Sequence, residues 1–169
     1  MVVTLRAAGA APLAAALAAA PRVVSAAAAA AMQRSLLLVE AGARTHVPQD
    51  TRQLMGSLHS TIRETPGARP TLVGTVGPAA RYGAYVEFGT RPHWPPRAPL
   101  EGWARRHHLP VFLVQRAIAR RGTRKRPFLA PALERNQARI VALFAAAGEV
   151  VSSSITRAAA AGGRREAAG

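Results

Sequence analysis

Alanine limits what this chain can fold into more than any other residue type. It supplies 39 of the 169 residues and almost half of the apolar ones, which make up 49% of the chain. Alanine favours helix but buries little surface. The remaining apolar residues therefore form a thin core for a chain of this length. Part of the apolar surface is expected to close against another subunit.

The order of apolar, proline and glycine residues predicts three regions. Residues 1–46 are expected to form an Ala-rich helical region, broken near Pro21 because an internal proline removes a hydrogen bond and clashes with the preceding turn. Residues 47–160 are expected to form an α+β domain packed with that helix, and residues 161–169 a flexible tail.

Alternating apolar and polar residues predict strands in three segments, 58–63, 71–77 and 82–88. The last two are interpreted as a hairpin in which Val86 and Phe88 face the core. The expected fold class is α+β, with a small antiparallel sheet of three to four strands packed on the long N-terminal helix.

Prolines and a helical stripe predict the remaining elements. Pro99 and Pro110 are suited to the first turns of two short helices, about 100–108 and 111–121. A C-terminal helix follows from Pro131, with an apolar stripe that begins at Leu133. Aspartate in place of Phe88 or Leu133 is therefore expected to leave no soluble folded protein.

The chain is strongly basic, with 23 Lys and Arg residues against 8 Asp and Glu residues, a formal charge of +15. The segment from Arg105 to Arg126 contains no acid. Charge of this density needs solvent or an anionic neighbour. Three interpretations remain open: a solvated face, DNA phosphates and acidic protein partners. The candidate contact residues are Arg116, Arg120, Arg121, Arg124, Lys125 and Arg126.

The residue inventory favours neither catalysis nor metal binding. The chain has no cysteine, which excludes disulfides, thiolate zinc sites and cysteine nucleophiles. The acids are scattered singly, and the adjacent His107 and His108 would point about 100° apart on a helix. The sequence therefore predicts no catalytic residue, no metal site and no cofactor, and the chain is not expected to be an enzyme.

The N-terminal part of the chain raises the question of membranes and export. The longest uncharged run, residues 7–21, is shorter than the roughly 20 apolar residues a membrane span needs, so no span is predicted. Arg6 and the apolar run after it fit either a secretory signal or an amphipathic helix. Because most of that run is alanine, the helix is favoured.

Two segments are more specific than these patterns. They are Tyr85–Thr90 and Arg126–Leu129, which leads into Pro131–Glu134. With the segment from Val47 to Leu58 and the proline-rich stretch around Trp94, they resemble the head–tail joining (neck or tail-completion) protein family of long-tailed bacteriophages. The resemblance covers roughly residues 30–145 in the same order. The family usually has glycine at the position of Arg52.

This resemblance implies a structural virion protein without catalytic activity. Family members are similar in forming rings, typically six-fold, between the head connector and the tail, with DNA passing through the lumen. The implied partners are other copies of the chain, the adjacent head-completion or connector and tail-terminator or tail-tube proteins, and non-specific double-stranded DNA in transit, with no membrane. The implied location is the virion neck, after synthesis in the bacterial cytoplasm.

Four residues are candidates for subunit or partner contacts: Tyr85, Glu87, Phe88 and Trp94. Glu87 is expected to pair with an arginine, either within the subunit or across a subunit boundary. Trp94, among prolines, is either an interface anchor or a lid over the domain's own core. The long N-terminal helix is also expected to take part in subunit contacts.

The alternative function is that of a basic, sequence-independent nucleic-acid-binding protein. It rests on the charge of the chain and its arginine-rich segment. Single-strand platforms interleave aromatic and basic residues, whereas here only Phe112 and Phe128 lie in or beside the basic segment.

Overall fold

The structure is a computed structural model that describes residues 10–48, 50, 52–65 and 71–166, with side chains described over 18–48, 50, 52–65 and 71–161. The expectations for residues 1–9 and for residues 167–169 of the predicted tail lie outside the described residues. The elements are α1 (Ala10–His46), α2 (Gln53–Gly56), β1 (Leu58–Thr65), β2 (Thr71–Pro78), α3 (Gly83–Phe88), α4 (Ala98–Arg106), α5 (Val111–Arg121) and α6 (Leu129–Glu166).

Helix α1 runs through Pro21 without the predicted break. The missing amide removes one hydrogen bond, while the alanine-rich turns on both sides have the highest helix propensity. The helical turns on both sides of Pro21 therefore outweigh the loss of one hydrogen bond, and α1 continues through the proline. Helix α6 likewise continues to Glu166, into the segment predicted as a tail.

The described residues form an α+β fold with a single antiparallel sheet of two strands, β1 and β2, rather than three to four. Both of these strands were predicted. The third predicted strand, residues 82–88, is instead the helix α3. Its helical turn places Gly83 and Glu87, four residues apart, on the buried side. Phe88 is 78% exposed, so its predicted place in the core is wrong.

The chain divides into two compact units. The first consists of residues up to Leu38, Thr61–Thr75 and residues from Asn136 onward. Its strand β2 packs on α1, because a Cβ at Gly74 would lie 3.0 Å from the Leu36 side chain and would also meet Met32. This contact is the expected packing of the sheet on the long helix.

The second unit consists of Val39–Ser60 and Val76–Arg135. Its interior contains Phe128, which is 0% exposed and the largest fully buried side chain among the described residues. Small and medium apolar residues supply the rest, as the alanine content predicts. They are Val39, Ala43, Val47, Leu54, Leu58, Ala104 and Ala132.

The two predicted short helices are confirmed as α4 and α5. The predicted core position of Leu133 in the C-terminal helix is not confirmed. Helix α4 has Pro99 in its first turn and Pro110 precedes α5, as expected for residues that lack an N–H. In α6, by contrast, Leu133 is 53% exposed. Its predicted core role is wrong because the neighbouring Ala132, only 1% exposed, faces the interior.

Two stretches, Ala18–His46 of α1 and Leu129–Ala161 of α6, are long and apolar enough to cross a membrane by length and composition alone. The prediction of no span considered only uncharged runs and so did not detect them. Core helices of soluble proteins meet the same criteria, so this finding alone does not assign the chain to a membrane.

Candidate interaction surfaces

The buried carboxylate of Glu87 caps the N-terminus of α6. Its Oε2 accepts hydrogen bonds from the backbone N–H groups of Phe128 (2.7 Å) and Leu129 (3.0 Å), and its Oε1 accepts one from Ala130 (3.0 Å). These are donors that an α-helix leaves unpaired at its start, at the positive end of its dipole. The expected pairing of Glu87 with an arginine inside the subunit is therefore wrong for the described residues, because its partners there are backbone amides, while a pairing across a subunit boundary stays a prediction.

The same contact joins the two segments that carry the family resemblance. The Arg126 N–H donates to the Val86 carbonyl oxygen (2.8 Å), and Thr90 and Thr123 form an antiparallel bridge with two backbone hydrogen bonds of 3.2 Å. We call this region, residues 86–90 with 122–130, the motif junction. A sequence pattern of two short separate segments thus corresponds to one local structure.

Two glycines allow the backbones of the motif junction to approach closely. Gly89 and Gly122 have φ angles of 71° and 69°, in the left-handed region that L side chains rarely adopt. A Cβ at Gly89 would lie 2.6 Å from the Thr123 carbonyl oxygen, and one at Gly122 would collide with that of Thr90. Both positions therefore require glycine.

The other predicted contact residues are exposed apolar groups. Tyr85 and Phe88 of α3 lie largely in solvent, and so does Trp94 of the proline-rich connector. Large apolar side chains exposed on a helix and on a stiff connector are candidates for interaction sites. Of the four predicted contact residues, only Glu87 is buried within the subunit, where its carboxylate binds backbone amides.

Trp94 is 57% exposed and does not form a lid over the core. Its ring lies 6.1 Å from that of Phe112, centroid to centroid, at an interplanar angle of 58°. The next residue, Pro95, is buried, and its carbonyl oxygen accepts a 3.0 Å hydrogen bond from Nε2 of the buried Gln115. This buried bond holds the connector on α5, so the aromatic pair is fixed on the surface of that helix.

Helix α5 carries an open depression of about 460 Å³ lined by Leu113, Arg116, Ala117, Arg120 and Arg121. Its three arginines are exposed and no acid is among the described lining residues. Arg120 and Arg121 lie in the last turn, where the helix dipole favours cations. Arg116 lies a full turn earlier and lacks that stabilisation. The structure thus groups Arg116, Arg120 and Arg121 into one basic surface.

The other predicted basic residues, Arg124, Lys125 and Arg126, are exposed in the segment between α5 and α6. Their backbone belongs to the motif junction, through the Arg126 N–H and the close approach of Lys125 to Gly89. Their side chains remain available to an anionic partner.

The basic segment is partly neutralised by a distant acid that sequence reasoning missed. Asp50 pairs with Arg106 through two hydrogen bonds, one of them 3.1 Å from Nε to Oδ1, and lies 3.8 Å from Nε2 of His107. The bond from Arg106 lowers the pKa of Asp50 below its usual value. The His107 ring also stacks on Trp103, with centroids 4.3 Å apart. Because 56 residues separate Asp50 from Arg106, no local pattern could have indicated the pair.

The first unit has an apolar surface of its own. An open groove of about 330 Å³ lies between residues of α1 and α6. Its lining residues are small or apolar: Val24, Ala27, Ala28, Phe144, Ala147, Gly148, Val151, Ser152 and Ile155. Along the candidate span of α6, none of the most apolar window is buried.

Comparisons of the chain with protein-family models, with curated proteins and with solved structures give no match. Within the described residues, no three His, Asp or Glu side chains are grouped in a way that could hold a metal ion.

Proposed function

We propose that this chain is a structural virion protein of the phage neck that assembles into a homo-oligomeric ring, six-fold as is typical of the family, between the head connector and the tail. DNA would pass through the lumen of the ring. The observation that carries the proposal is the motif junction. The segments Tyr85–Thr90 and Arg126–Leu129, on which the family resemblance mainly rests, are joined by the hydrogen bonds of the Glu87 carboxylate and by the backbone bond from Arg126 to Val86, and the Thr90–Thr123 bridge lies beside them.

The backbone at Arg52 also supports the proposal. This residue has a φ of 57° and a ψ of 1°, in the left-handed region that favours glycine. The resemblance predicts glycine at this position. The one departure noted in the family pattern thus falls at a backbone conformation that the family's usual residue would satisfy without strain.

Exposed apolar side chains support assembly. Phe88, Tyr85 and Trp94 in the second unit, and the groove of the first unit, present apolar surface that is not buried within the subunit. Subunit association would remove such surface from water. The thin, alanine-rich core predicted from composition likewise favours burial of apolar surface against another subunit.

Cryo-electron microscopy of the intact particle tests the proposed function directly. We expect a ring of this domain between the portal and the tail tube, with the exposed face of α3 at a subunit boundary. A complete reconstruction of the neck that contains no copy of this chain would refute the assignment. A reconstruction would also show whether the exposed arginines of α5 face the channel or a neighbouring protein.

The alternative function, sequence-independent nucleic-acid binding, is favoured by the arginine-lined depression on α5. Light scattering in about 1 M salt, where phosphate contacts are screened, separates the two proposals after nuclease treatment. A ring should keep its mass under these conditions. A nucleic-acid-binding protein without subunit contacts should have the mass of a monomer.

A further inference from the structure

We propose that helix α5 and the connector beside it form a binding site for single-stranded nucleic acid. The site consists of Trp94, Phe112, Arg116, Arg120 and Arg121, which we call the α5 surface. The proposal names a ligand class for the alternative function and does not depend on ring formation. Its juxtaposed features are an exposed aromatic pair and an arginine-lined depression on one helix.

The spacing of residues along α5 places the aromatic pair and the arginines along one face of the helix. Phe112, Arg116 and Arg120 follow one another at intervals of four residues, so they lie on the same helix face. All three are exposed. Eight residues of helix correspond to about 12 Å, a length that a short oligonucleotide can follow. Aromatic contacts would therefore lie at one end of the ligand path and cationic contacts along the rest.

The chemistry of the aromatic pair favours a single strand over a duplex. Trp94 and Phe112 are 57% and 58% exposed, and their tilted contact leaves ring surface open to solvent. Unpaired bases can stack on such rings, whereas duplex bases already stack on each other. The buried Gln115–Pro95 hydrogen bond holds the platform in place before a ligand binds, so little ordering is required on binding.

The chemistry of the depression favours phosphate. Arg116, Arg120 and Arg121 repel one another at close spacing on the helix, and no acid among the described lining residues relieves this. A phosphodiester backbone relieves the repulsion and accepts the paired N–H groups that a guanidinium presents. A strand alternates bases with phosphates, as the α5 surface combines aromatic rings with arginines.

Binding is tested with the full chain, freed of nucleic acid, and a labelled 12-nucleotide oligo-dT, with a hairpin duplex of equal charge for comparison. The chain has two tryptophans, so W103F leaves Trp94 as the single fluorescent reporter. We expect tighter binding of oligo-dT than of the duplex, together with quenching of Trp94. Equal or tighter duplex binding, or an unchanged Trp94 signal on saturation, would overturn the proposal.

Two variants separate the two kinds of contact. W94A/F112A should lose about 5- to 150-fold in oligo-dT affinity, the effect of lost stacking, with little change for the duplex. R116Q/R120Q/R121Q should weaken both ligands and reduce the salt slope for oligo-dT by about 2. The matched control R22Q/R34Q/R139Q removes the same charge from exposed arginines elsewhere and should have a much smaller effect.

Polyglutamate of equal charge distinguishes a protein partner from nucleic acid. If it displaces oligo-dT as well as unlabelled oligo-dT does, the α5 surface recognises acidic protein and the proposal is wrong. Because the substituted residues are exposed, the variants should show cooperative unfolding like the parent chain. Scattering mass on the same samples reports ring formation separately, so failure of this proposal and failure of the ring can be told apart.

Discussion

The Glu87 carboxylate accepts a 2.7 Å hydrogen bond from the backbone N–H of Phe128, 41 residues further along the chain. The N–H groups of Leu129 and Ala130 share the same carboxylate. One buried side chain thereby fixes the start of α6 relative to α3 within the second unit. It also sets the entry of Phe128 into the interior.

Replacing this carboxylate should destabilise the second unit strongly. E87A leaves three amides without their acceptor and is expected to cost about 3 kcal/mol, whereas E87Q keeps one acceptor oxygen and is expected to cost about 1–2 kcal/mol. Urea denaturation followed by circular dichroism measures both. The control E149Q changes an exposed acid of α6 and should stay within about 0.5 kcal/mol. Equal midpoints for E87Q and E149Q would contradict the capping role.

The sequence correctly predicted those elements that short-range patterns of residues specify. Alternation gave β1 and β2, and prolines gave the starts of α4 and α5. Residues 82–88 alternate as well, yet they form α3, because the burial of Glu87 depends on a helix start 41 residues away. Three of the four predicted contact residues, Tyr85, Glu87 and Phe88, were placed on this wrong strand. Their exposure, apart from that of Glu87, agrees with a role in contacts, which stays a prediction.

For the α5 surface, the sequence predicted that arginines contribute but not how the residues are arranged in space. Sequence alone indicated the arginine-rich segment, and the structure gathers three of its arginines on α5. It could not indicate that Trp94 contacts Phe112, since the connector reaches α5 through the Gln115–Pro95 bond, which joins residues 20 positions apart. Pairings over such separations depend on the tertiary fold.

Arg52 provides a test of backbone strain. Its φ of 57° costs a non-glycine residue about 1–2 kcal/mol, and the added chain entropy of glycine offsets part of the gain. We expect R52G to stabilise the chain by about 0.5–1 kcal/mol in urea denaturation. The neighbouring Q53G, inside α2, should instead destabilise by about 1 kcal/mol. Loss of stability in R52G would show that the arginine makes a compensating contact.

Glycine substitutions should have opposite signs at two positions. At Gly122 a Cβ would collide with the Thr90 carbonyl oxygen and φ is 69°, so G122A should destabilise by more than about 2 kcal/mol. At Gly148, inside α6, nothing lies within 4 Å of an added Cβ. G148A should therefore stabilise by up to about 1 kcal/mol through helix propensity. Thermal melts of the two variants against the parent chain measure the contrast, which similar shifts in the same direction would contradict.

The Asp50–Arg106 pair predicts a pH-dependent stability. The hydrogen bond from Arg106 lowers the pKa of Asp50 below its usual 3.8, and the charges of Arg106 and His107 act in the same direction against desolvation. A carboxyl group whose pKa is lower in the folded state than in the unfolded state stabilises the fold at pH values above its unfolded-state pKa. This stabilisation is lost as the pH falls through the folded-state pKa. The parent chain should therefore be more stable than D50N at about pH 6, and the difference should shrink progressively as the pH falls below the usual carboxyl pKa of 3.8.

Salt provides the control for this pH dependence. The pair is exposed, so about 1 M NaCl should reduce the difference at pH 6. Denaturation midpoints across the pH range measure it. A difference between D50N and the parent chain that persists unchanged at low pH would mean that the asparagine acts through packing and not through charge.

Phe88 separates folding from assembly. Sequence analysis predicted that aspartate at this position abolishes folding, but Phe88 is 78% exposed, so F88D should cost less than about 1 kcal/mol. If the exposed face of α3 lies at a subunit boundary, the same change should prevent ring formation, because a charge would be buried there without a partner. The matched F128D places aspartate at a fully buried position and should leave no folded protein.

Urea denaturation and light scattering of F88D measure the two effects separately. Rings of unchanged mass formed by F88D would exclude α3 from the subunit interface, and an unfolded F88D would return Phe88 to the core.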